Sequence, residues 1–324
     1  MLLVTGGAGF IGSNFVHEYI RKIGEPVLVV DKLTYAADKN NLHLEKYRDL
    51  LAFHQGDIGD HEFIYDMLVG YRVDSIINFA AESHVDRSIN NSAPFIETNI
   101  VGTETLLHAA SAYYDTLLKK TTYHRFKFLH VSTDEVYGQL LPDDQSWTEE
   151  SPYRPRSIYS ASKAASDHLA MAYYHTHGLP VIITACSNNY GPHQHREKFI
   201  PTAITKALKG EKIPIYGMGS NIRDWIYVTD HCDALIKVLK SGEIGEKYNI
   251  GGYCQINNML LAQKILRLMG KDPYNGTEYV SDRKGHDYRY DLNCNKITKA
   301  LDWLPRVDLD TGLEKTIKWF REKE

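Results

Sequence analysis

Between Ser132 and Lys163 the chain gathers residue types that together can move protons. Ser132-Thr133-Asp134-Glu135-Val136-Tyr137-Gly138 supplies a hydroxyl and two adjacent carboxyls, and Tyr159-Ser160-Ala161-Ser162-Lys163 supplies a phenol and an ammonium four residues apart. Four residues is about one helical turn, so a helix there puts Tyr159 and Lys163 on one face. With an ordinary pKa of about 10, tyrosine is a poor base at neutral pH. A cationic neighbour such as Lys163 stabilises its phenolate and turns it into a proton acceptor for a hydroxyl. Adjacent carboxyls push each other's pKa values apart, which leaves one ionised and the other protonated. That division suits an elimination, where a carboxylate takes a proton from carbon while an acid protonates the departing oxygen. The residue types do not say which carboxyl does which. An Asp-Glu pair also caps helices and loops without any such chemistry.

Leu129-His130-Val131 reads as the end of a buried strand, which puts Thr133, Asp134 and Glu135 where strand becomes loop. Ligands of open α/β sheets bind at that level. The Tyr-x-x-x-Lys spacing occurs also at Tyr35/Lys39 and Tyr123/Lys127, but only Tyr159 follows a strand–loop of this kind.

The elements that must position these groups begin at the N-terminus. Leu2 to Thr5 is a short strand, Gly6-Gly7-Ala8-Gly9-Phe10-Ile11-Gly12 is a glycine turn, and Phe15, Val16, Tyr19 and Ile20 recur at helical spacing. Val27 to Val30 is a second strand that ends in Asp31. Strand, glycine turn, helix, strand and acid in that order form a dinucleotide-binding βαβ unit, with backbone N–H groups facing a pyrophosphate. Asp31 would accept from the ribose hydroxyls and repel a 2′-phosphate, which favours NAD over NADP; Lys32 beside it softens that preference. The alternation continues through strands at 51–54, 75–79, 126–132 and 181–185, with helices through Phe63 and Leu68, from about 94 to 118, and from Tyr159 to about 177. Such a rhythm predicts an α/β fold with a doubly wound parallel Rossmann sheet.

Beyond Ala185 the rhythm breaks into polar loops. A strand at 225–228 is expected to return to the first domain, followed after Gly251-Gly252 by helices at about 258–269 and 311–321. The domain reading is therefore 1–185 with 225–250 as the NAD-binding part, and 186–224 with 251–324 as a smaller, discontinuous substrate lobe.

The chain has 324 residues and a formal net charge of -4, which gives no electrostatic case for nucleic acid or an anionic membrane. Its four cysteines, Cys186, Cys232, Cys254 and Cys294, form no Cys-x-x-Cys pair and fit reduced thiols of a cytoplasmic protein. No apolar run is long enough for a signal peptide or a bilayer span. His175/His177 and His193/His195 have strand-like spacing on segments read as helix or loop, with no carboxylate in ligand spacing, so no metal is expected.

TGGAGFIG at 5–12, Asp31, STDEVYG at 132–138 and YSASK at 159–163 resemble the extended short-chain dehydrogenase/reductase family. Within it, the Thr-Asp-Glu triplet, NNYGP at 188–192 and RDWIYV at 223–228 are similar to the nucleotide-diphosphate-glucose 4,6-dehydratases, most closely those acting on dTDP-glucose. The resemblance implies oxidation of a sugar at carbon 4 by NAD⁺, elimination of water across carbons 5 and 6, and hydride return to carbon 6. It assigns Tyr159 as the base for the 4-hydroxyl, supported by Lys163, Glu135 as the base at carbon 5, Asp134 as the acid, and Thr133 as a donor to the 4-oxygen. For the cofactor it implies Gly6, Gly9, Phe10, Ile11, Gly12, Asp31, Lys32, Leu33 and Thr34. Asp57 and Ile58 then stand at the adenine, Ala80, Ala81, Ser83 and Thr98 near the nicotinamide ribose, with Asn189 beside them. His84 is implied as a sugar contact. Asn188, Lys198, Phe199, Pro214, Tyr216, Arg223, Asn258, His286 and Tyr290 are implied in the nucleotide and diphosphate pocket.

Lys284, Phe199 and Thr229 depart from the usual Pro, Leu and acid, and the first two leave the preferred base open. UDP-glucose dehydration is the nearest alternative. An epimerase or decarboxylase of the same superfamily would give Asp134-Glu135 no elimination to serve, and non-catalytic NAD-binding relatives normally lack the Tyr–Lys pair. The family further implies a homodimer through the helices near 100–118 and 159–175.

Overall fold

The computed structural model describes residues 1–120 and 125–323; Tyr123, one of the incidental Tyr-x-x-x-Lys matches, lies outside the described residues. The short apolar runs of the N-terminal part form strands β1 (Leu2–Thr5), β2 (Val27–Asp31), β3 (Leu51–Gln55), β4 (Ser75–Asn78), β5 (Lys127–Thr133) and β6 (Val181–Cys186). Their partners are all parallel. β1, β2 and β6 are buried along their whole length, as strands covered by helices on both faces must be. With a later strand, β10 (Lys247–Ile250), they make a seven-stranded sheet in the order β10-β6-β5-β4-β1-β2-β3. The order reverses between β1 and β4, which opens the ligand crevice at the carboxyl ends of the strands.

Helices α1 (Phe10–Ile23), α2 (His61–Gly70) and α3 (Val85–Asn90) connect the first strands. The helix expected over 94–118 is present, but in three parts: a short α4 (Ala93–Phe95), a π-helical stretch over Ile96–Gly102, and α5 (Thr103–Lys120). Its wide turn lets Asn99 reach sideways. The Asn99 amide accepts from Glu82 N (2.9 Å) and donates to Glu82 O (3.0 Å) and Ser162 Oγ (2.8 Å). Helix α6 (Ile158–His177) starts where expected because Ser157 and Ser160 form a reciprocal capping box, and it ends at Gly178 in the left-handed conformation. Tyr35 and Lys39 do not share a helix: Lys39 opens the 3-10 turn Lys39–Leu42.

The remainder comprises β7 (Asn188–Tyr190), α7 (Phe199–Leu208), β8 (Ile213–Tyr216), β9 (Ile222–Tyr227), α8 (Val228–Ser241), β11 (Gln255–Asn257), α9 (Asn258–Leu268), β12 (Thr277–Val280), α10 (Asn295–Leu301) and α11 (Leu309–Arg321). The strand expected over 225–228 does not rejoin the main sheet. As β9 it pairs with β7 and β11 in a separate three-stranded sheet, and β10 is the strand that returns, beside β6. An apolar run specifies a strand but not its partner, which is a long-range choice. Two hydrophobic clusters cover the faces of the main sheet, and a third gathers α7, β8, α9 and α11 around Tyr190, Trp225 and Tyr227. Among the described residues no helix is long and apolar enough to cross a membrane.

Candidate active site

At the crevice, backbone approaches backbone so closely that only glycine fits. Gly6 has φ +67°, and a Cβ there would stand 2.6 Å from Ala80 N; a Cβ on Gly12 would stand 2.3 Å from Gly6 O. Helix α1 begins at Gly9 with no side chain capping it, so its first-turn N–H groups face the crevice unpaired by the helix. Asp31 accepts from Ala8 N (2.9 Å) and Leu33 N (2.8 Å), which clamps the glycine turn to the end of β2. Burial raises its pKa, although the two N–H bonds counteract the shift. Its carboxylate retains lone pairs for ribose hydroxyls. Lys32 lies 2.6 Å from Asp57, so its charge is matched there instead of being left for a 2′-phosphate. These residues fit a dinucleotide, NAD in preference to NADP.

The cleft lining takes in Gly6, Gly9, Phe10, Ile11, Gly12, Asp31, Lys32, Thr34, Asp57, Ile58, Ala80, Ala81, Ser83, Thr98 and Asn189, all expected at the cofactor. Leu33 is held beside Asp31 without lining it. The same cleft reaches Thr133, Asp134, Glu135, Tyr159, Lys163, Asn188 and Lys198, so the residues expected to transfer protons share one cleft with those expected at the cofactor.

At the end of β5, Thr133 organises its neighbours. Its hydroxyl donates to Asp134 Oδ1 (3.2 Å) and accepts from Glu135 N (3.3 Å). The two acids are not equivalent. Burial, then the adjacent Glu135 charge, holds the Asp134 pKa well above the ordinary carboxyl range, and its Oδ2 has no hydrogen-bond partner in the protein. Glu135 is raised by burial, but the Arg223 and Lys198 cations pull against that rise. A protonated Asp134 next to an ionisable Glu135 is the split that an elimination requires.

Tyr159 is raised well above its ordinary value by burial and by Glu135, with the nearby Thr133 hydroxyl opposing. Lys163 does not bond the phenol directly. Its ammonium donates to Val131 O (2.9 Å) and stands 3.5 Å from His130 Nε2. Under it lies a buried network that the residue types did not disclose. Asp167 accepts from Ser132 Oγ (2.9 Å) and Tyr153 OH (2.6 Å), and His130 Nε2 is 3.3 Å from its other oxygen. Burial alone would raise Asp167, but His130, Lys163 and Tyr153 reverse the sign and keep it ionised. The signal was available: Tyr159, Lys163 and Asp167 follow at steps of four along one helix.

Lys198 and Arg223 act on Glu135 electrostatically, and the Glu135 charge in turn raises Tyr290, so the structure brings these three expected residues to the triplet. Arg223 is buried, lies 4.1 Å over the Tyr290 ring, and donates to the carbonyls of Ile222 (2.8 Å), Tyr288 (3.3 Å) and Asp287 (2.9 Å). Those bonds use three of the five N–H groups of a guanidinium. Lys198 donates to Ser83 O (2.7 Å), and His84 Nε2 stands 3.7 Å from Glu197. Farther out, Tyr216 faces His286 at 6.2 Å between ring centres. Phe199 sits 6.5 Å from the Trp225 ring, Pro214 lies on β8, and Asn258 opens α9; none of the three lines the cleft. Residue types did not single out Glu197, which accepts from Tyr35 (2.9 Å) and pairs with Arg87 (3.3 Å), or Arg283, which pairs with Asp86 at 2.6 Å.

Residues 3–316 match the family model described as GDP-mannose 4,6 dehydratase. A dTDP-glucose 4,6-dehydratase of Haemophilus influenzae is 47% identical over 98% of this chain and 97% of its own length. One of Xanthomonas campestris pv. campestris is 48% identical over 98% of this chain and 92% of its own. Among solved structures, the dTDP-glucose 4,6-dehydratase DesIV of Streptomyces venezuelae, with NAD bound, superposes with a TM-score of 0.92 at 46% identity, covering 99% of this chain and 97% of that one. A UDP-glucose 4-epimerase of Thermotoga maritima reaches 0.88 at only 28% identity, covering 99% of each chain, so the shared fold alone does not choose between the two reactions. Over nearly its whole length, then, the chain belongs to the nucleotide-sugar 4,6-dehydratase family, a branch of the extended short-chain dehydrogenases/reductases.

Proposed function

We propose that this protein converts dTDP-glucose to dTDP-4-keto-6-deoxyglucose, as an NAD-dependent hydro-lyase with no net redox change. The observation that carries the reading is the unequal acid pair: Asp134, whose pKa burial and its neighbour raise well above the ordinary carboxyl range, stands next to Glu135, whose own rise Arg223 and Lys198 oppose. The dTDP preference is supported by the relatives named above, and NAD by the glycine cradle and Asp31.

Bound NAD⁺ supplies the acceptor for the carbon-4 hydride, the donor that later returns it to carbon 6, and a positive charge that favours phenolate. Tyr159 takes the proton of the 4-hydroxyl, and Thr133 donates to the same oxygen. The ketone acidifies carbon 5, and Glu135 removes that proton. Asp134 gives its proton to the 6-oxygen, which leaves as water. Lys163, fixed on Val131 O above the His130–Asp167 network, keeps a cation beneath the site.

The two-lobe division belongs to this reading, with β9 moved to the smaller lobe because its strand partners lie there. A cytoplasmic homodimer is part of it as well. Ile96, Val101, Leu118 and Ile158 are exposed apolar residues on the helices that would pair, and sedimentation of the protein as a monomer would remove the dimer. The deciding assay offers dTDP-, UDP- and CDP-glucose side by side and scores the 4-keto product. Preferred turnover of dTDP-glucose is expected. Preferred turnover of UDP-glucose would reassign the base, and a 4-epimer without keto sugar would replace the dehydratase reading.

A further inference from the structure

Three histidines that the proposed reaction does not use converge behind the glycine turn from distant parts of the chain. His17 comes from α1, His43 follows the 3-10 turn Lys39–Leu42, and His193 lies in the loop after β7. One ring nitrogen of each lies within 4.8 Å of one from each of the others. The ring centres are 5.1 Å (His17–His43), 6.1 Å (His43–His193) and 6.2 Å (His17–His193) apart.

Asn41 orients two of the rings. Its backbone carbonyl accepts from His17 Nε2 (2.7 Å), and its side-chain oxygen accepts from His193 Nδ1 (2.6 Å). The Asn41 amide nitrogen donates to Ala8 O (3.3 Å), which fixes the direction of the amide. Carbonyl oxygens only accept, so the proton of each ring sits on the nitrogen facing Asn41 and the second nitrogen keeps a lone pair. Histidines that ligate metals commonly donate their other N–H to a carbonyl in this way. His43 is exposed and has φ +47°, a backbone conformation rarely adopted outside glycine. It leaves an entry path from solvent.

We propose that His17, His43 and His193 form a binding site for a divalent transition-metal ion of the zinc class, with Asn41 as the residue that orients the ligands. Three imidazole ligands suit zinc and its neighbours and do not suit calcium or magnesium, which take oxygen ligands. A tetrahedral ion with Zn–N bonds of about 2.0–2.1 Å needs nitrogens about 3.4 Å apart, so the rings close by roughly an ångström and water completes the shell. The ion ties α1 and the 39–43 turn to the loop after β7, whose next residues, Gln194 and His195, line the cleft. It would therefore brace the cofactor end without touching the reacting sugar.

The test uses the full chain without a histidine tag, stripped with a chelator, then titrated with Zn²⁺ by calorimetry and with Co²⁺ by visible absorption. One ion per chain and the intense absorption of tetrahedral cobalt are expected. His43→Ala, at an exposed position, and His193→Gln should each weaken binding at least about tenfold, since loss of even an orienting partner costs that much. His175→Ala combined with His177→Ala, on the exposed end of α6, should leave binding intact. Failure to bind one ion per chain, or binding that survives His43→Ala and His193→Gln but is lost with His175 and His177, would overturn the proposal.

Discussion

The two ends of the cleft are made of different material. At the cofactor end the surface is backbone: Gly6 and Gly12 leave no room for a Cβ, and Asp31 is held by two N–H groups. At the sugar end it is long charged side chains that satisfy one another: Arg283 on Asp86, Arg87 on Glu197, Lys198 on Ser83 O, Arg223 on Tyr290. Backbone geometry is set once the fold forms, whereas ion pairs can change partners when a diphosphate arrives. The cofactor end is thus rigid and the sugar end adaptable, and the acid pair stands where they meet.

Tyr159→Phe should have the largest effect, since on the proposed assignment it removes the base for the first oxidation. Turnover is expected to fall about a thousandfold or more, with no reduction of bound NAD⁺ in a single-turnover assay. A variant that still reduced the cofactor would take Tyr159 out of that role. Next, Gly12→Ala probes the rigid end. Overpacking of this kind costs about 1–3 kcal/mol, so NAD⁺ affinity should drop about ten- to a hundredfold while dTDP binding holds. Equal losses at both ends would break the contrast.

Asp134→Asn should lower turnover and reshape its pH profile. On the proposed assignment turnover needs Glu135 ionised, so it falls as pH drops below a pKa raised from 4.5; it needs Asp134 protonated, so it also falls as pH climbs past the raised Asp134 value. The asparagine variant should lose the alkaline limb and keep the acid one. Arg283→Ala probes the adaptable end and should be smaller, raising KM for dTDP-glucose up to about tenfold with little change in kcat, because a part-exposed pair contributes only about 1 kcal/mol. The smallest effect concerns stability. A raised carboxyl pKa in the folded state gives stability that is full at low pH and lost as pH rises through that pKa. Thermal unfolding of Asp134→Asn should therefore decline less toward alkaline pH than that of the parent.

This contrast also explains what the sequence disclosed. The strand–glycine–helix–strand–acid order is local, and so is the capping at Ser157 that puts Tyr159 and Lys163 one turn apart on α6. Local signals survive folding because they are made of backbone preferences. The pairs at the sugar end are not local: Arg283 and Asp86 are 197 residues apart, and no spacing rule connects them. The partner of β9 failed for the same reason, since Ile222–Tyr227 reads as a buried strand in either sheet. The π-helical turn at Ile96–Gly102 was invisible because its composition is that of an ordinary helix, and only the sideways bonds of Asn99 distinguish it. The histidines show the limit most clearly. Spacing along the chain relates only neighbouring histidines, whereas His193 meets His17 and His43 across the fold.

The central claim is that adjacent acids divide the work, Glu135 as base and Asp134 as acid. It is tested most directly by running both amide variants with dTDP-glucose in deuterated water and measuring label at carbon 5 against water loss. Glu135→Gln should reduce its NAD⁺ yet incorporate no deuterium at carbon 5, while Asp134→Asn should exchange carbon 5 and eliminate slowly. Exchange that persists without Glu135 and disappears without Asp134 would contradict the assignment.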